Sequence, residues 1–379
     1  MYSLVLPYPF QEFEMSLLAS YLIIYSCYLL LFVWVGWLRL KRKNNINHPS
    51  DLIGLANITV IIPFRNEEKR IEPLIESFKK SKALPFEIIF VDDHSEDETQ
   101  LLLEQVRNES ITLISLENEV GKKRAIEKGV KAAKTNFILT LDADVHFSPD
   151  YFTHLGNLKN SDLHILPVKQ SSMNFLNRFV QQDVLFADFL NKSIAGWIRP
   201  IFCSGANLLV KKDAYLEAIN QTSYFEIDSG DDVFLMREIQ RKKKNIEIHV
   251  DSNLAVETEL PQTFNESVHQ RMRWLGKAFK VRDQLANSLA QIQFAFSLLN
   301  IGFLLGIFIL LPIKFSFTLI VMKTLLELLF SFDYYRKSNH SVLWLTIPIY
   351  LLILPLINGI MVFAFFGFKP KWKGRSVVQ

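Results

Sequence analysis

The chain has 379 residues, with 42 Lys and Arg against 39 Asp and Glu and a formal net charge of +3. That balance gives no case for a nucleic-acid partner. Hydrophobic residues make up 49% of it and 31 are Phe, an apolar excess for a soluble protein, while two cysteines, Cys27 and Cys203, can build neither a disulfide framework nor a CxxC metal site.

The apolar residues come in blocks. From Leu17 to Leu38 the chain carries no charge, enough to cross ~30 Å of hydrocarbon. Glu12 and Glu14 precede this run and "RLKRKNN" follows it, which predicts a cytoplasmic basic flank and an N-terminus outside. A signal peptide would place its basic residues first, and no small-residue cleavage site follows. The expectation is a membrane anchor over residues 1–46, with its helix at about 17–38.

Residues 47–287 alternate short apolar runs with amphipathic stretches. "NITVIIPF" predicts a strand, and "NEEKRIEPLIESFKK" a helix with Ile71, Leu74, Ile75 and Phe78 on one face. "FEIIFV" and "EDETQLLLEQV", "ITLISL" and "GKKRAIEKGVKAA", then "NFILTL" continue the alternation. Strands this continuously apolar belong to a parallel sheet covered on both faces, so the fold class is α/β. Residues 174–197 predict a helix, either interfacial and near an acceptor or plainly on the surface.

Residues 288–379 form a C-terminal membrane region with two or three apolar helices and a basic tail, "KPKWKGRSVVQ". Phe294–Ile313 is uncharged to Lys314 and Ser341–Phe368 is uncharged throughout. Phe315–Phe332 carries Lys323 and Glu327, spaced to pair on one helix face. A cytoplasmic tail requires an even number of crossings here, so the count stays open.

In doubly wound sheets ligands bind beyond the carboxyl ends of the strands. The loops there are "PFRNE" (Pro63–Glu67), "DDHSED" (Asp92–Asp97) and "DADVH", with Asp142 and Asp144 two residues apart. Taken alone, that last pair reads as an acidic turn. Several acidic loops on one edge repel each other unless a cation offsets them, and Mg²⁺ or Mn²⁺ takes one or two carboxylates plus phosphate oxygens. Lys122, at the start of the "GKKRA" helix, is either a phosphate contact or part of a solvated face. Asp92 and Asp93 could also cap the helix that follows them. Further on, Asp231 and Asp232 open an amphipathic helix, and Gln270, Arg273 and Trp274 share a helix face that also suits a membrane-interface anchor. His94, His146, His249 and His269 show no shared ligand spacing and read as surface or core histidines.

The ordered set "PFRNE", "VDDHS", "LDADV", "GDD" and "QRMRW" resembles the GT-A family 2 glycosyltransferases, in particular the membrane-bound branch of cellulose, chitin, hyaluronan and poly-N-acetylglucosamine synthases. The resemblance implies a Rossmann-like GT-A domain over residues 47–287. It implies that Pro63, Arg65, Glu67, Asp92 and Asp93 bind the nucleotide, with Lys122 and Asp142 beside them. Asp142 and Asp144 would handle a divalent cation and the diphosphate, and Asp232 would be the catalytic base. Asp231, Gln270, Arg273 and Trp274 would meet the diphosphate and acceptor. The implied partners are a nucleotide-sugar, a UDP-sugar first, a lipid-linked or glycan acceptor and membrane lipids, with no nucleic acid. The implied place is a bacterial inner membrane, multi-pass, with a cytoplasmic catalytic domain. Asp231, preceded by Gly230, stands where the synthases usually have Glu before the catalytic Asp, and the membrane portion is short for a chain that threads its own polymer, which sets single transfer against the alternative of a processive synthase. A catalytically silent membrane scaffold that binds nucleotide-sugar is the non-enzymatic alternative.

Overall fold

The computed structural model of the chain describes residues 31–43, 52–171, 175–220, 231–261, 263, 266, 269–272, 274, 283–292, 294–295, 313–367, 371–372 and 375–376. The chain divides into an α/β unit (Lys41–Asn177, Pro200–Val281 and Lys369–Gln379) and a helical unit (Met1–Leu40, Arg178–Arg199 and Arg282–Phe368).

The α/β unit is built on seven strands: β1 (Ile58–Phe64), β2 (Glu87–Asp92), β3 (Ile111–Ser115), β4 (Phe137–Leu141), β6 (Leu163–Ile165), β8 (Asn207–Lys211) and β9 (Ile246–Ile248). Their order is β3-β2-β1-β4-β8-β6-β9. All residues of β1, β2 and β4 are buried, as their unbroken apolar runs require of central parallel strands. Only β8 is reversed, antiparallel to β4 and to β6, so its first residues lie at the edge where its neighbours end. A smaller sheet joins β5 (Val145–Phe147), β10 (Val256–Glu259) and β7 (Val168–Ser171) in the order β5-β10-β7.

The helix predicted from "NEEKRIEPLIESFKK" is shorter than its apolar spacing allows. The chain turns at Asn66, in the left-handed region at φ 51°, and α2 spans only Glu72–Lys80 with Pro73 in its first turn. Its face is as expected: Ile71, Leu74 and Phe78 are buried and Ile75 is half-buried. The unit's other helices are α3 (Thr99–Glu104), α4 (Lys122–Ala132), α5 (Tyr151–Gly156), α7 (Lys212–Ile219) and α8 (Asp231–Arg241).

The helical unit holds α1 (residues 31–43 in part), most of α6 (Phe175–Trp197), α9 (Ile313–Lys337), α10 (Ser341–Trp344) and α11 (Ile347–Gly367). The α6 helix is not a plain surface helix, because Gln182, Phe189, Asn191 and Ser193 are each 1% exposed. It crosses α1 backbone to backbone: a Cβ on Gly196 would lie 1.8 Å from the Gly36 carbonyl oxygen. Its carboxylates accept from phenols, Asp188 from Tyr334 at 2.7 Å and Asp183 from Tyr350 at 2.5 Å, which satisfies charges that would be costly to leave bare. Lys323 and Glu327 pair across one turn of α9, as their spacing predicted.

Among the described residues no helix is long and apolar enough to cross a membrane. Of the expected spans, residues 17–30 and 296–312 lie outside the described ones. The α9 helix carries Lys323, Glu327 and Asp333, and the run from Ser341 to Phe368 is broken by the turn at Leu345–Thr346 ahead of α11. In α11 the side chains from residue 360 onward lie outside the description.

Candidate active site

The loops at the carboxyl edge are joined by side chains. Asp93 N–H donates to Phe64 O at 2.9 Å, which binds the end of β2 to the end of β1. Its carboxylate is 2% exposed, and Oδ1 accepts from the Gly121 N–H at 2.9 Å, which ties β2 to the start of α4. Burial pushes the Asp93 carboxyl up, and the Gly121 hydrogen bond works against that rise. Arg65 Nη1 donates to Asp93 O at 3.4 Å, so the first and second loops share a wall. Pro63 lies opposite Val91 in the β1–β2 register.

Asp92 Oδ1 accepts from Ser95 N–H at 2.9 Å and holds the turn. The N-cap of α3 is Glu98, which makes no side-chain capping bond, and the acceptor nearest the helix start is Asp97. Asp97 Oδ1 accepts from the Thr99 N–H at 3.1 Å and from the Thr99 hydroxyl at 2.6 Å. The expectation that Asp92 and Asp93 cap that helix is therefore corrected.

The two carboxylates of "DADVH" each meet a cation. Lys122 Nζ lies 2.5 Å from Asp142 Oδ1, and Arg70 Nη1 lies 3.2 Å from Asp144 Oδ2. Arg70 also reaches Glu67 at 2.8 Å, so Glu67, Arg70 and Asp144 form a chain from the first loop to the fourth. Both aspartates are partly exposed, 34% and 26%, and pairs at such sites contribute about 0–1 kcal/mol. A stronger cation or a diphosphate can displace them at small cost. The donors are hard carboxylate oxygens at a strand end, which fits Mg²⁺ or Mn²⁺. Asp144, Arg70 and His146 also line a cavity of about 390 Å³.

Asp232, 8% exposed, comes to the same edge through the reversed strand. Leu141 and Asn207 are partners in the β4–β8 register, so the residues before Asn207 stand beside Asp142. Gly205 N–H donates to Asp232 Oδ2 at 3.0 Å and Val233 N–H to Oδ1 at 2.8 Å. Thr140 Oγ1 donates to Gly205 O at 3.0 Å, which fixes that loop against β4. Asn207 is the buried hub: it accepts from Tyr151 OH at 2.6 Å and donates to Pro167 O and Leu254 O at 2.8 and 2.9 Å. Asp231 opens α8 beside it. Gln270 and Trp274 are both helical, half-buried and 38% exposed respectively; Arg273 lies outside the described residues.

Two contributors escaped the reading of the sequence. Arg70 looked like one more charge on a helix face, and Gly205 carried no motif. Among the described residues the one group of three metal-capable side chains lies elsewhere, at His164, Glu247 and His249.

The family model Glycosyl transferase family 2 matches residues 59–214, and Glycosyl transferase family group 2 matches residues 137–368, more than half of the chain. The chain is a family 2 glycosyltransferase. The undecaprenyl-phosphate 4-deoxy-4-formamido-L-arabinose transferase of Pectobacterium atrosepticum is 28% identical over 151 residues, covering 38% of this chain and 44% of that one. The 4,4'-diaponeurosporenoate glycosyltransferase of Staphylococcus aureus is 37% identical over 115 residues, covering 29% of this chain and 28% of its own. This glycosyltransferase thus matches less than half the length of either relative. A mannosyltransferase of Pyrobaculum calidifontis, solved with GDP-Man and Mn²⁺, superposes with a TM-score of 0.54 at 15% identity, over 90% of this chain and 99% of that one. That likeness establishes the GT-A fold, with its Rossmann-like, mostly parallel sheet.

Proposed function

We propose that the domain at residues 47–287 transfers one sugar, with inversion, from a nucleotide-sugar to a lipid-linked acceptor at a membrane surface. The observation that carries this reading is the placement of Asp232. Its carboxylate is gripped by the Gly205 N–H, beside the strand end from which Asp142 and Asp144 emerge. A base fixed beside a diphosphate-binding edge is the arrangement a single displacement needs.

In this reading Pro63, Arg65, Glu67, Asp92 and Asp93 receive the base and ribose. Lys122 and Arg70 exchange their aspartates for the diphosphate, while Asp142 and Asp144 hold a divalent cation. The cation, when bound, supplies charge neutralisation for the departing diphosphate. Asp232 accepts the proton of the acceptor hydroxyl, and that oxygen forms a bond to the anomeric carbon. The bond from that carbon to the diphosphate oxygen breaks, and its electron pair leaves with the nucleotide. Gln270, Arg273 and Trp274 are assigned to the diphosphate and acceptor, together with Asp231, the sequence neighbour of the base.

A membrane setting is supported from three directions. Undecaprenyl phosphate and diaponeurosporenoate appear in the names of the two relatives. The helical unit exposes large apolar side chains, among them Phe317 at 71%, Leu329 at 63% and Leu356 at 61%, which water disfavours in such number. Leu17–Leu38 adds an uncharged run of spanning length. Asp231, preceded by Gly230, where the polymer-forming branch has Glu before the catalytic Asp, favours single transfer.

The test is nucleotide release by purified protein from UDP-, GDP- and dTDP-sugars, with a polyprenyl diphosphate-linked sugar, which carries free hydroxyls, as acceptor and Mn²⁺, Mg²⁺ or EDTA present. The reading expects metal-dependent release from one donor, lost in Asp144→Asn and Asp232→Asn. A protein that binds none of these donors refutes it.

A further inference from the structure

We propose that His164, Glu247 and His249 form a second cation site, suited to a borderline transition-metal ion such as Zn²⁺ and separate from the carboxylate loops. The backbone alone puts them together. β6 and β9 run parallel with His164 opposite Glu247. Side chains alternate along a strand, so His249, two residues beyond Glu247, projects to the same face of the sheet. The His249 N–H donates to Ile165 O at 2.9 Å and carries the ladder one step past the end of β9.

The side chains converge accordingly. One ligand atom from each of the three residues lies within 4.8 Å of the other two, and His164 Nδ1 stands 3.0 Å from His249 Nε2. Two imidazole nitrogens that share an ion at ~2.0–2.1 Å each are separated by about 3–3.4 Å for angles between square and tetrahedral. The pair already has that spacing. In the metal-free protein the two rings satisfy each other through one N–H···N hydrogen bond. Binding requires only that the donating ring shift its proton to its far nitrogen, so that both facing nitrogens present lone pairs.

The donor chemistry selects the ion. Two imidazoles and one carboxylate suit Zn²⁺, Co²⁺ or Ni²⁺, whereas the all-oxygen pair Asp142 and Asp144 suits Mg²⁺ or Mn²⁺. His164 is wholly buried, so its ring is held in place between the strands. Glu247 and His249 are half-buried and leave an approach from solvent. The nearby cation, Lys211, has Asp162 3.7 Å from its ammonium. Three protein ligands leave a further position for water. An ion here would clamp β9, a three-residue edge strand that follows α8, onto β6.

The experiment uses untagged full-length protein stripped with chelator, then given Zn²⁺ alone, with metal content after desalting, Zn²⁺ affinity and Tm as readouts. Buried His164 is left intact, and the variants are His249→Gln and Glu247→Gln, with Asp144→Asn as the control at the other site. The expected result is one retained equivalent and a raised Tm in wild type and in Asp144→Asn, with no displacement by Mn²⁺. Affinity should fall by at least about ten- to a hundredfold in His249→Gln, the range that even outer-shell changes produce. Equal Tm values in EDTA establish that the variants are folded. Retention unchanged in His249→Gln, or lost in Asp144→Asn, overturns the proposal. So does a folded wild type that retains no Zn²⁺.

Discussion

In the parallel block β3-β2-β1-β4, the candidate site side chains sit in loops that directly follow the strands, whereas across β4 they are delivered by strand pairing. Arg65, Asp93 and Asp142 each come within two residues of a strand end, so the common direction of β1, β2 and β4 is enough to gather them. Beyond β4 the chain reverses in β8. Gly205 then meets Asp232 across 27 residues of sequence, and His164 meets His249 across 85. The lesson is a division of labour. The loops of the first block can exchange partners cheaply, since their ion pairs are partly exposed, while the second block is locked by the buried bonds of Asn207.

Substitutions should separate the two blocks by their readouts. The largest effect on rate within the loops is expected for Asp144→Asn, a fall in turnover of about 10²–10³-fold, typical of losing one electrostatic stabiliser, with Tm nearly unchanged. The mirror case is Asn207→Ala. It orphans the Tyr151 hydroxyl and the Leu254 carbonyl, at about 1–3 kcal/mol for each buried group, leaves the Pro167 carbonyl only the Val256 N–H, and should show as a large drop in Tm by calorimetry. If Asn207→Ala kept its Tm, the second block would not be locked in the way described.

Smaller changes sharpen the contrast. Arg70→Ala cuts the link from Glu67 to Asp144 and should raise the KM for donor by about tenfold, as for one charged hydrogen bond. Asp93→Asn should leave Tm unchanged or slightly higher at neutral pH while weakening donor binding. Its folded-state pKa is raised by burial, so the ionised form costs stability above that pKa. The cost fades as pH falls through it toward the unfolded value. The Tm gap between Asp93→Asn and wild type should therefore close on acidification, and a gap that widens would contradict the assignment of burial as the cause.

Much of the first block was legible because strand, turn and acid follow one another in sequence: "FEIIFV" into Asp92, "NFILTL" into Asp142. The Lys323–Glu327 pair was legible for the same local reason. The reversal of β8 was not, since an apolar run does not record its direction, and with it went the role of Gly205. Arg70 was hidden because its two partners, Glu67 and Asp144, lie on different loops. The histidine pair was invisible because it depends on the β6–β9 register.

The most direct measurement is donor affinity and single-turnover rate in Asp232→Asn, side by side with wild type. The amide keeps an oxygen for the Gly205 N–H, so the loop should hold its place. Donor Kd is expected within about threefold of wild type, with turnover down by about 10²–10⁴-fold, the usual contribution of a general base. Turnover retained within tenfold, or donor binding lost in step with it, would contradict Asp232 as the base.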